Sequence, residues 1–570
     1  MSDSLKNPGR WGVLAIICCA LFMIMLQSNV INLAIPHIQK DFGADLTTVS
    51  WITNGYLLVF TVFLLTLGRL GDEIGRKKVF LSGLVVFTFG SALCAFLPGT
   101  SMGIEGLILG ALVQGLGGAA MMPATMSLVA SNFDAKERGM ALGLWGATSG
   151  LAVAIGPTLG GYLTDVGLGD SINQFFGIAQ GWRYIYFLNL FLGVVIAILT
   201  AIYVPESKDR ETKHKYDVVG ILLSGSMLFC LVFGLVNGSD YGWWDKKKDF
   251  LLFGLNLSPG SLSLMPILLI ASAVLAVVFA LWEKTRKVDP LMDLNLFNDR
   301  NFLAGSLVAA ILSFAMMGTF FLVPVFLQNV LHYSAIEAGL IMLPLALAVM
   351  FASPLAGFLA DKIGGKWVIV VGMVLMAAGG YWTAWFRLDT TPWELVLPFI
   401  VMGAGIALAM SPNTNIALLT VPIDEVGGAS GFLSTLRQMG SVLGITILVT
   451  VFANNIPYYG ERNLGQISDK VVPPVVKEKI IEGLHSGGGM QQQDPAAMDQ
   501  YLVLYKEARR TEIKTAVGGA MTQSVVDSIN RTFKWAAVVA LLGGFAALAL
   551  KGRRPEPKKK PGEPAEAPNA

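Results

Sequence analysis

The sequence has 570 residues, of which 54% are hydrophobic and only 14% are charged, and its formal net charge is +2. A soluble globular domain carries about 25% charged residues, so this chain has too few charges to cover a water-facing surface. Together with a mean hydropathy of +0.62, the composition indicates a membrane protein with many spans. It excludes collagen-like, coiled-coil and disordered chains, and the small net charge gives no reason to expect nucleic acid as a partner.

Fourteen segments are long and apolar enough to cross a bilayer, which takes about 20 predominantly apolar residues in a helix. The predicted spans are residues 11–35, 49–70, 77–98, 103–130, 138–164, 182–204, 216–238, 262–283, 301–330, 336–360, 366–386, 394–420, 427–453 and 531–551. The sequence therefore predicts an all-α integral membrane protein. We treat the first span as retained, because it is too long for a signal peptide and lacks a small-residue cleavage site.

Basic residues predict the orientation of these spans. If the N-terminus (residues 1–10) is cytoplasmic, the inner loops contain most of the lysines and arginines, from Arg76–Lys78 to the run at 551–560. The outer loops hold little beyond Lys40, Arg387 and the run at 246–248. By the positive-inside rule, we expect a multi-pass protein of the inner or plasma membrane with both termini in the cytoplasm.

Two polar regions lie outside the predicted spans. Residues 454–530 separate the last two spans on the outer side, and their two helical runs predict an extracellular helical hairpin with a flexible tip at Ser486–Gly489. Residues 552–570 are rich in Pro, Lys and Glu, which predicts a disordered cytoplasmic tail.

The residues that usually carry catalysis or bind metals are scattered. All four cysteines lie inside apolar runs, the four histidines are far apart, and no phosphate-binding glycine loop of the Walker type occurs. Free cysteine in an apolar run behaves as a small hydrophobe. We therefore expect no metal site, no cofactor and no enzymatic activity.

The loop after the second span has a distinctive pattern, with Gly68, Asp72, Gly75 and Arg76 in the run GRLGDEIGRKK. A weaker copy, GFLADKIGGK with Asp361, follows the tenth span. Glycines allow a tight turn and close helix approach, and an aspartate can lie against helix N-termini. This repeated loop resembles the signature of the major facilitator superfamily, in which it acts as a conformational-switch loop.

The fifth span contains Gly156, Pro157, Gly160 and Gly161. Small residues four apart let helices pack backbone to backbone, and this motif resembles the one that marks exporters within the superfamily. With fourteen spans, the whole chain resembles the drug:proton antiporter (multidrug efflux) branch. The resemblance implies two six-helix bundles, at 11–204 and 301–551, with two extra helices in the linker at 205–300.

The charge pair usual in that branch is absent. Gln27 stands in the first span where the branch has an aspartate, and Ala111 stands in the fourth where it has an arginine. Losing both avoids an unpaired charge inside the membrane. Asp165 and Glu105, near outer helix ends, are the remaining candidates for coupling to protons. Glu137, Glu337 and Glu394 each follow a residue suited to N-capping by three, which indicates helix capping.

Mid-span polar residues are the candidates for lining a substrate cavity. Arg437 lies about 15 Å into the thirteenth span, where an arginine either serves function or clamps a neighbouring helix. The amides either line the cavity or hydrogen-bond between helices. The full set of candidates is Gln27, Asn29, Asn32, Asn54, Gln114, Asn413 and Arg437.

We therefore expect a monomeric secondary transporter in the lipid bilayer that exports amphipathic or lipophilic small molecules by alternating access, with protons as the candidate coupling ion. A lipid or glycolipid exporter and an uncoupled facilitator of the same fold remain open alternatives. So does a protein of another class, a membrane sensor or scaffold that transports nothing. The substrate, the coupling and the role of the hairpin are not determined by the sequence.

Overall fold

The computed structural model describes residues 9–44, 46–96, 102–133, 135–165, 181–207, 217–247, 251–252, 255–256, 261–285, 294–419, 421, 426–485 and 507–551. In chain order its α-helices are α1 (Arg10–Phe42), α2 (Leu46–Ile74), α3 (Arg76–Phe96), α4 (Gly103–Asn132), α5 (Ala135–Asp165), α6 (Arg183–Tyr203), α7 (Val218–Tyr241), α8 (Leu264–Thr285), α9 (Arg300–Val325), α10 (Ala335–Leu359), α11 (Gly365–Thr383), α12 (Pro392–Leu419), α13 (Val426–Gln466), α14 (Pro474–His485) and α15 (Glu507–Ala547). The smaller elements are a 3₁₀ turn at Leu294–Asn298, π-helical turns at Phe326–Val330 and Ala360–Gly364, and a hairpin of the two-residue strands Leu251–Leu252 and Leu255–Asn256.

Each of the fourteen predicted spans overlaps one long helix of the described chain. In the described part of the chain, twelve helices are long and apolar enough to cross a membrane by length and composition. The two long helices that do not meet this criterion are α5, with 31 residues, and α15, with 41. Helix α5 is rich in glycine, and α15 begins with a long polar stretch.

Two hydrophobic cores divide the described chain into halves. The larger is built mainly from α1–α6 and the second from α9–α15. Helices α7 and α8 pack on each other and against α2, with Leu58, Val232, Phe233 and Met265 buried between them. This is an all-α membrane fold of two six-helix bundles with an inserted helix pair.

One end of the molecule is called the proximal end here, because α1 begins and α15 ends there. Two contacts show which helix ends meet there. Arg10 at the start of α1 forms an ion pair with Glu137 at the start of α5, with N and O 2.6 Å apart. The Lys551 backbone N–H after α15 donates to Asn301 Oδ1 at the start of α9, at 2.8 Å. The opposite end, which carries α14, is the distal end.

The predicted hairpin differs from the structure in how its helices begin and end. Helix α13 continues without a break to Gln466, beyond the predicted span end at 453, and α15 begins at Glu507, before the predicted start at 531. Among the described residues of this region, α14 is a separate short helix, and its Leu484 lies over Gly460 of α13. The distal projection is therefore largely a continuation of two bundle helices. The tip at 486–489 and the tail at 552–570 lie outside the described residues.

Candidate functional site: the interface between the halves

The two halves meet at the proximal end through Asp72, near the last turn of α2. Its carboxylate oxygens accept hydrogen bonds from the backbone N–H groups of Gly427, at 2.9 Å, and Gly428, at 2.8 Å, in the first turn of α13. First-turn N–H groups have no acceptor within their own helix, and the helix dipole favours a negative charge there. Arg76 donates to the same carboxylate at 3.1 Å, and both side chains are buried. A side chain of the first half thus caps a helix of the second.

The glycines of the repeated loop explain how closely the helices approach here. A methyl group on Gly68 would lie 2.8 Å from the Gly427 carbonyl oxygen and 2.9 Å from the Gly431 Cα. Real Cβ atoms do not approach backbone that closely, so α2 and α13 can meet only because Gly68 has no side chain. Gly75 has φ of +117°, a conformation that favours glycine.

The second copy of the loop has the same design. Gly364 has φ of +89°, and it lies seven residues after Gly357, as Gly75 follows Gly68. A methyl group on Gly357 would lie 2.6 Å from the Gly139 carbonyl oxygen of α5. The two halves therefore use equivalent glycines for equivalent contacts, α2 with α13 and α10 with α5. Asp361 lies in the π-helical turn between α10 and α11, and its side chain is outside what the structure describes.

Close packing on α5 begins before the predicted exporter motif. A methyl group on Gly143 would lie 2.7 Å from the Ser353 carbonyl oxygen of α10. Gly156 and Gly160 are buried further along α5, whereas the surroundings of Pro157 and Gly161 lie outside the described part. The importance of the motif itself stays a prediction.

Three of the predicted cavity amides form hydrogen bonds between helices of one half. Gln27 Oε1 accepts from Asn189 Nδ2 of α6 at 2.5 Å, and Gln114 Nε2 donates to Ser91 Oγ of α3 at 2.7 Å. Asn413 Nδ2 donates to the Gly305 carbonyl oxygen of α9 at 2.9 Å. All three amides are buried in this conformation.

The other candidates differ in exposure. Asn54 is half-buried on α2, and Ala111 is buried on α4. Glu105 is exposed in the first turn of α4. The side chains of Asn29, Asn32 and Asp165 lie outside the described residues, so their predicted roles stay predictions.

The capping prediction holds at α10, where Ser334 and Glu337 form a complete capping box. At α12, Thr391 Oγ1 donates to Glu394 Oε1 at 2.9 Å, so this acid also contacts its N-cap partner. Glu137 instead pairs with Arg10, as described above. These acids are therefore engaged at helix ends in the structure.

Arg437 of α13 lies at the contact between the halves. It is 8% exposed, and its Nη2 donates to Thr414 Oγ1 of α12 in the same half. Its guanidinium carbon lies 5.6 Å from the centre of the Trp145 ring, which belongs to α5 in the other half. Nη1 has no hydrogen-bond partner among the described residues. Trp145 Nε1 donates to Thr125 Oγ1 of α4 at 3.0 Å, which fixes the ring in the first half.

Sequence reasoning missed Trp145 because a tryptophan inside a span is usually a core or interfacial residue. Its position as the eighth residue of the glycine-rich fifth span was the available signal. It also missed Asp217, which caps α7 through the Gly220 N–H at 2.9 Å and accepts from Trp282 Nε1 at 3.1 Å. The aspartate directly before an apolar run was the signal for this cap.

A polar cleft of about 660 Å³ lies away from this interface, between the distal parts of α13 and α15. Exposed Arg462, Arg531 and Lys534 line it together with Asp527, whose carboxylate accepts from Asn463 and Gln523. Arg531 lies over the Tyr458 ring, 5.7 Å from its centre. Across the described chain, no group of three His, Cys, Asp or Glu residues could hold a metal ion.

Several known proteins resemble this chain in sequence or in fold. The chain is 31% identical over 489 residues to the multidrug resistance protein Stp of Mycobacterium tuberculosis, covering 84% of each protein. It is 29% identical over 494 residues to the tetracenomycin C resistance and export protein of Streptomyces glaucescens, covering 84% of this chain and 85% of the relative.

The solved human organic anion transporter MFSD10 (TETRAN) aligns with a TM-score of 0.56 over 95% of this chain and 100% of its own, at 13% identity, which shows the fold alone. A sequence profile described as Major Facilitator Superfamily matches residues 17–445, three quarters of the chain and parts of both halves. With this match, and with the repeated glycine–aspartate loop placed where two six-helix bundles meet, the chain belongs to the Major Facilitator Superfamily of membrane transporters.

Proposed function

We propose that this protein exports amphipathic or lipophilic small molecules from the cell by alternating access. Its relatives include proteins named for multidrug resistance and for tetracenomycin C export. The observation that carries the proposal is the capping of α13 by Asp72, because it joins the halves by a contact that can open and close. The candidate residues for binding the substrate are the amides and Arg437 predicted above.

The contact at the proximal end is strong enough to stabilise the conformation closed at that end. It is also weak enough to break when the halves separate. A hydrogen bond to a charged group contributes about 1.5–3 kcal/mol, and Asp72 accepts two across the interface. The Ser127 and Ser430 hydroxyls add a third link between the halves, with their oxygens 2.9 Å apart. Cargo that binds more tightly to the separated halves can therefore shift the equilibrium.

The positive-inside rule supports a cytoplasmic proximal end in the plasma or inner membrane. Closure at that end then leaves the transporter facing outward, ready to release cargo. We further propose that the protein works as a monomer and that any coupling ion is a proton. The absence of the acid–base pair at Gln27 and Ala111 argues that such coupling is weak.

A disulfide across the proximal interface tests alternating access. In a background with the four native cysteines replaced, the double variant S127C/S430C places two thiols where the hydroxyl oxygens now lie 2.9 Å apart. Oxidation is expected to stop transport of a fluorescent amphipathic dye in proteoliposomes, and reduction is expected to restore it.

The matched control is N463C/S524C, whose side chains hydrogen-bond at 3.0 Å within the second half. Because those helices move together, its disulfide should leave transport unchanged. Full transport by oxidised S127C/S430C would contradict the proposal.

A further inference from the structure

Arg437 carries a charge inside the membrane that the described residues do not fully compensate. A charge in the membrane interior is costly unless it is paired or hydrogen-bonded. At about 1.5 Å per residue, its position eleven residues into α13 places it roughly 16 Å from the proximal end, near the middle of a hydrocarbon core about 30 Å thick. Within the described chain, no carboxylate forms an ion pair with it.

The contacts that Arg437 does have come from both halves. Thr414 accepts one hydrogen bond from within the second half. The Trp145 ring of the first half covers the guanidinium, and the face of a tryptophan ring stabilises a cation placed over it. When the halves separate at the proximal end, Thr414 stays with Arg437 and Trp145 leaves with α4 and α5. The guanidinium then loses its cover while Nη1 still has no partner.

We propose that Arg437 binds an anionic group of the cargo, a carboxylate or an equally compact oxyanion, when the proximal end is open. We propose further that Trp145 takes the place of that anion when the end closes. This inference rests on the proposed export function and names its substrate class, an amphipathic molecule with one negative charge. Guanidinium suits this task because its parallel N–H donors match two carboxylate oxygens. One such donor, Nη1, has no partner among the residues that the structure describes.

The exchange gives each state of the carrier a partner for the charge. The anion stabilises the loaded, open form, and the Trp145 ring stabilises the empty, closed form. A neutral analogue of the same shape does not replace the lost cation–π contact. The protein should therefore discriminate by charge at one atom rather than by overall size.

The test uses three probes on one scaffold: 1-pyrenebutyrate, its methyl ester and the corresponding pyrenebutyl-trimethylammonium. Binding to the purified full-length protein is measured in detergent, and transport is measured in proteoliposomes. The wild type is expected to bind the carboxylate at least tenfold more tightly than the ester. R437Q is expected to abolish that preference while leaving ester binding within about twofold, and R437K should keep part of it.

R531Q is the matched control, because Arg531 also lies over an aromatic ring, that of Tyr458, but is exposed at the distal end. It should leave all three affinities unchanged. Equal or tighter binding of the ester or the ammonium by the wild type overturns the proposal. So does failure of the wild type to bind the carboxylate, or a carboxylate preference that survives in R437Q.

Variants of Trp145 keep the proposal testable should R437Q fail to fold. W145L removes the competing ring and is expected to tighten carboxylate binding about fivefold while slowing transport, whereas W145F keeps a ring face and should lie between. Unchanged carboxylate affinity in W145L would count against the exchange.

The two hypotheses fail in different ways. Charge preference in detergent without any transport contradicts the export function and leaves the anion site standing. Transport without charge preference contradicts the anion site and leaves the export function standing.

Discussion

Asp72 is the residue on which the closed state most depends. Its position in the loop after the second span is readable from the sequence, since an aspartate between glycines at a helix end is a ready capping group. Its partner cannot be predicted from the sequence, because Gly427 lies 355 residues away and every residue except proline has a backbone N–H group. The same holds for Arg437, whose depth is predictable while the ring that covers it is not.

Replacing Asp72 by asparagine should reduce transport at least tenfold without loss of expression. The amide keeps the shape, but it has one acceptor oxygen instead of two and no charge. One bond to α13 is therefore lost, the other weakens, and Arg76 loses the charge of its ion-pair partner. The measurement is the initial export rate, together with labelling of a cysteine at Ser430 by a thiol reagent, which should become faster. Glu73→Gln is the control, because Glu73 pairs with Arg69 on the same helix. Wild-type transport by the Asp72 variant would disprove the capping role.

Gln27 offers a test of structure rather than of coupling. Gln27→Leu should destabilise the protein by about 1–3 kcal/mol. Asn189 then loses the acceptor of its Nδ2, while its Oδ1 already has no partner in the described part of the chain. The double variant Gln27→Leu/Asn189→Leu should recover most of this loss, since no buried amide then remains unpaired. Thermal unfolding is measured for the wild type, Gln27→Leu, Asn189→Leu and the double variant, which together form a double-mutant cycle. A single variant as stable as the wild type would show that the amide pair contributes little.

At the scale of elements, the halves meet through two equivalent helix pairs that depend on missing side chains. Hydropathy predicts where helices enter lipid but does not predict where they end, because polar residues continue a helix in water as readily as they end it. This is why α13 and α15 exceed their predicted spans. Small residues predicted close packing for α5, but the sequence indicated neither its partner α10 nor the role of Gly143. Gly357 was noted as part of the repeated loop, without the contact that it makes.

A single methyl group at Gly357 should therefore impair export severely. Gly357→Ala places a Cβ 2.6 Å from the Gly139 carbonyl oxygen, which forces α5 and α10 apart. Gly380→Ala on α11 is the same chemical change in open space, with nothing within 4 Å of the added atom, and should be neutral or slightly stabilising. Export rate and thermal stability are compared for both. Equal rates would show that the contact tolerates expansion.

For the whole molecule, the central question is the source of energy. One proton moved across one pH unit is worth about 1.4 kcal/mol, or tenfold in a gradient. With Gln27 and Ala111 in place of the usual pair, the first half lacks a titratable residue at that position. Fold and family follow from residues that the sequence displays; coupling depends on how acids are exposed in states that a sequence does not describe.

Transport should accordingly depend only weakly on a pH gradient. We expect a one-unit gradient imposed on proteoliposomes to change the initial rate less than about twofold. The substrate should accumulate far less than the tenfold that one coupled proton allows. Asp165→Asn and Glu105→Gln should behave like the wild type, whereas Arg437→Ala should impair substrate handling more than either. Uphill export driven by protons and lost in one carboxylate variant would show that a peripheral acid has taken over the coupling.

The length of α13 and α15 has a mechanical consequence. Each has 41 residues, which at 1.5 Å per residue is roughly 60 Å, about twice the thickness of the hydrocarbon core. Both helices are continuous from the bundle to the distal projection, so the projection must tilt with the second half. A rigid rotation of about 10° would swing the far end of such a rod by roughly 10 Å. The projection around α14 therefore moves with the second half. A fluorophore attached there should report the conformation of the transporter, and a protein that binds there should slow its conformational change.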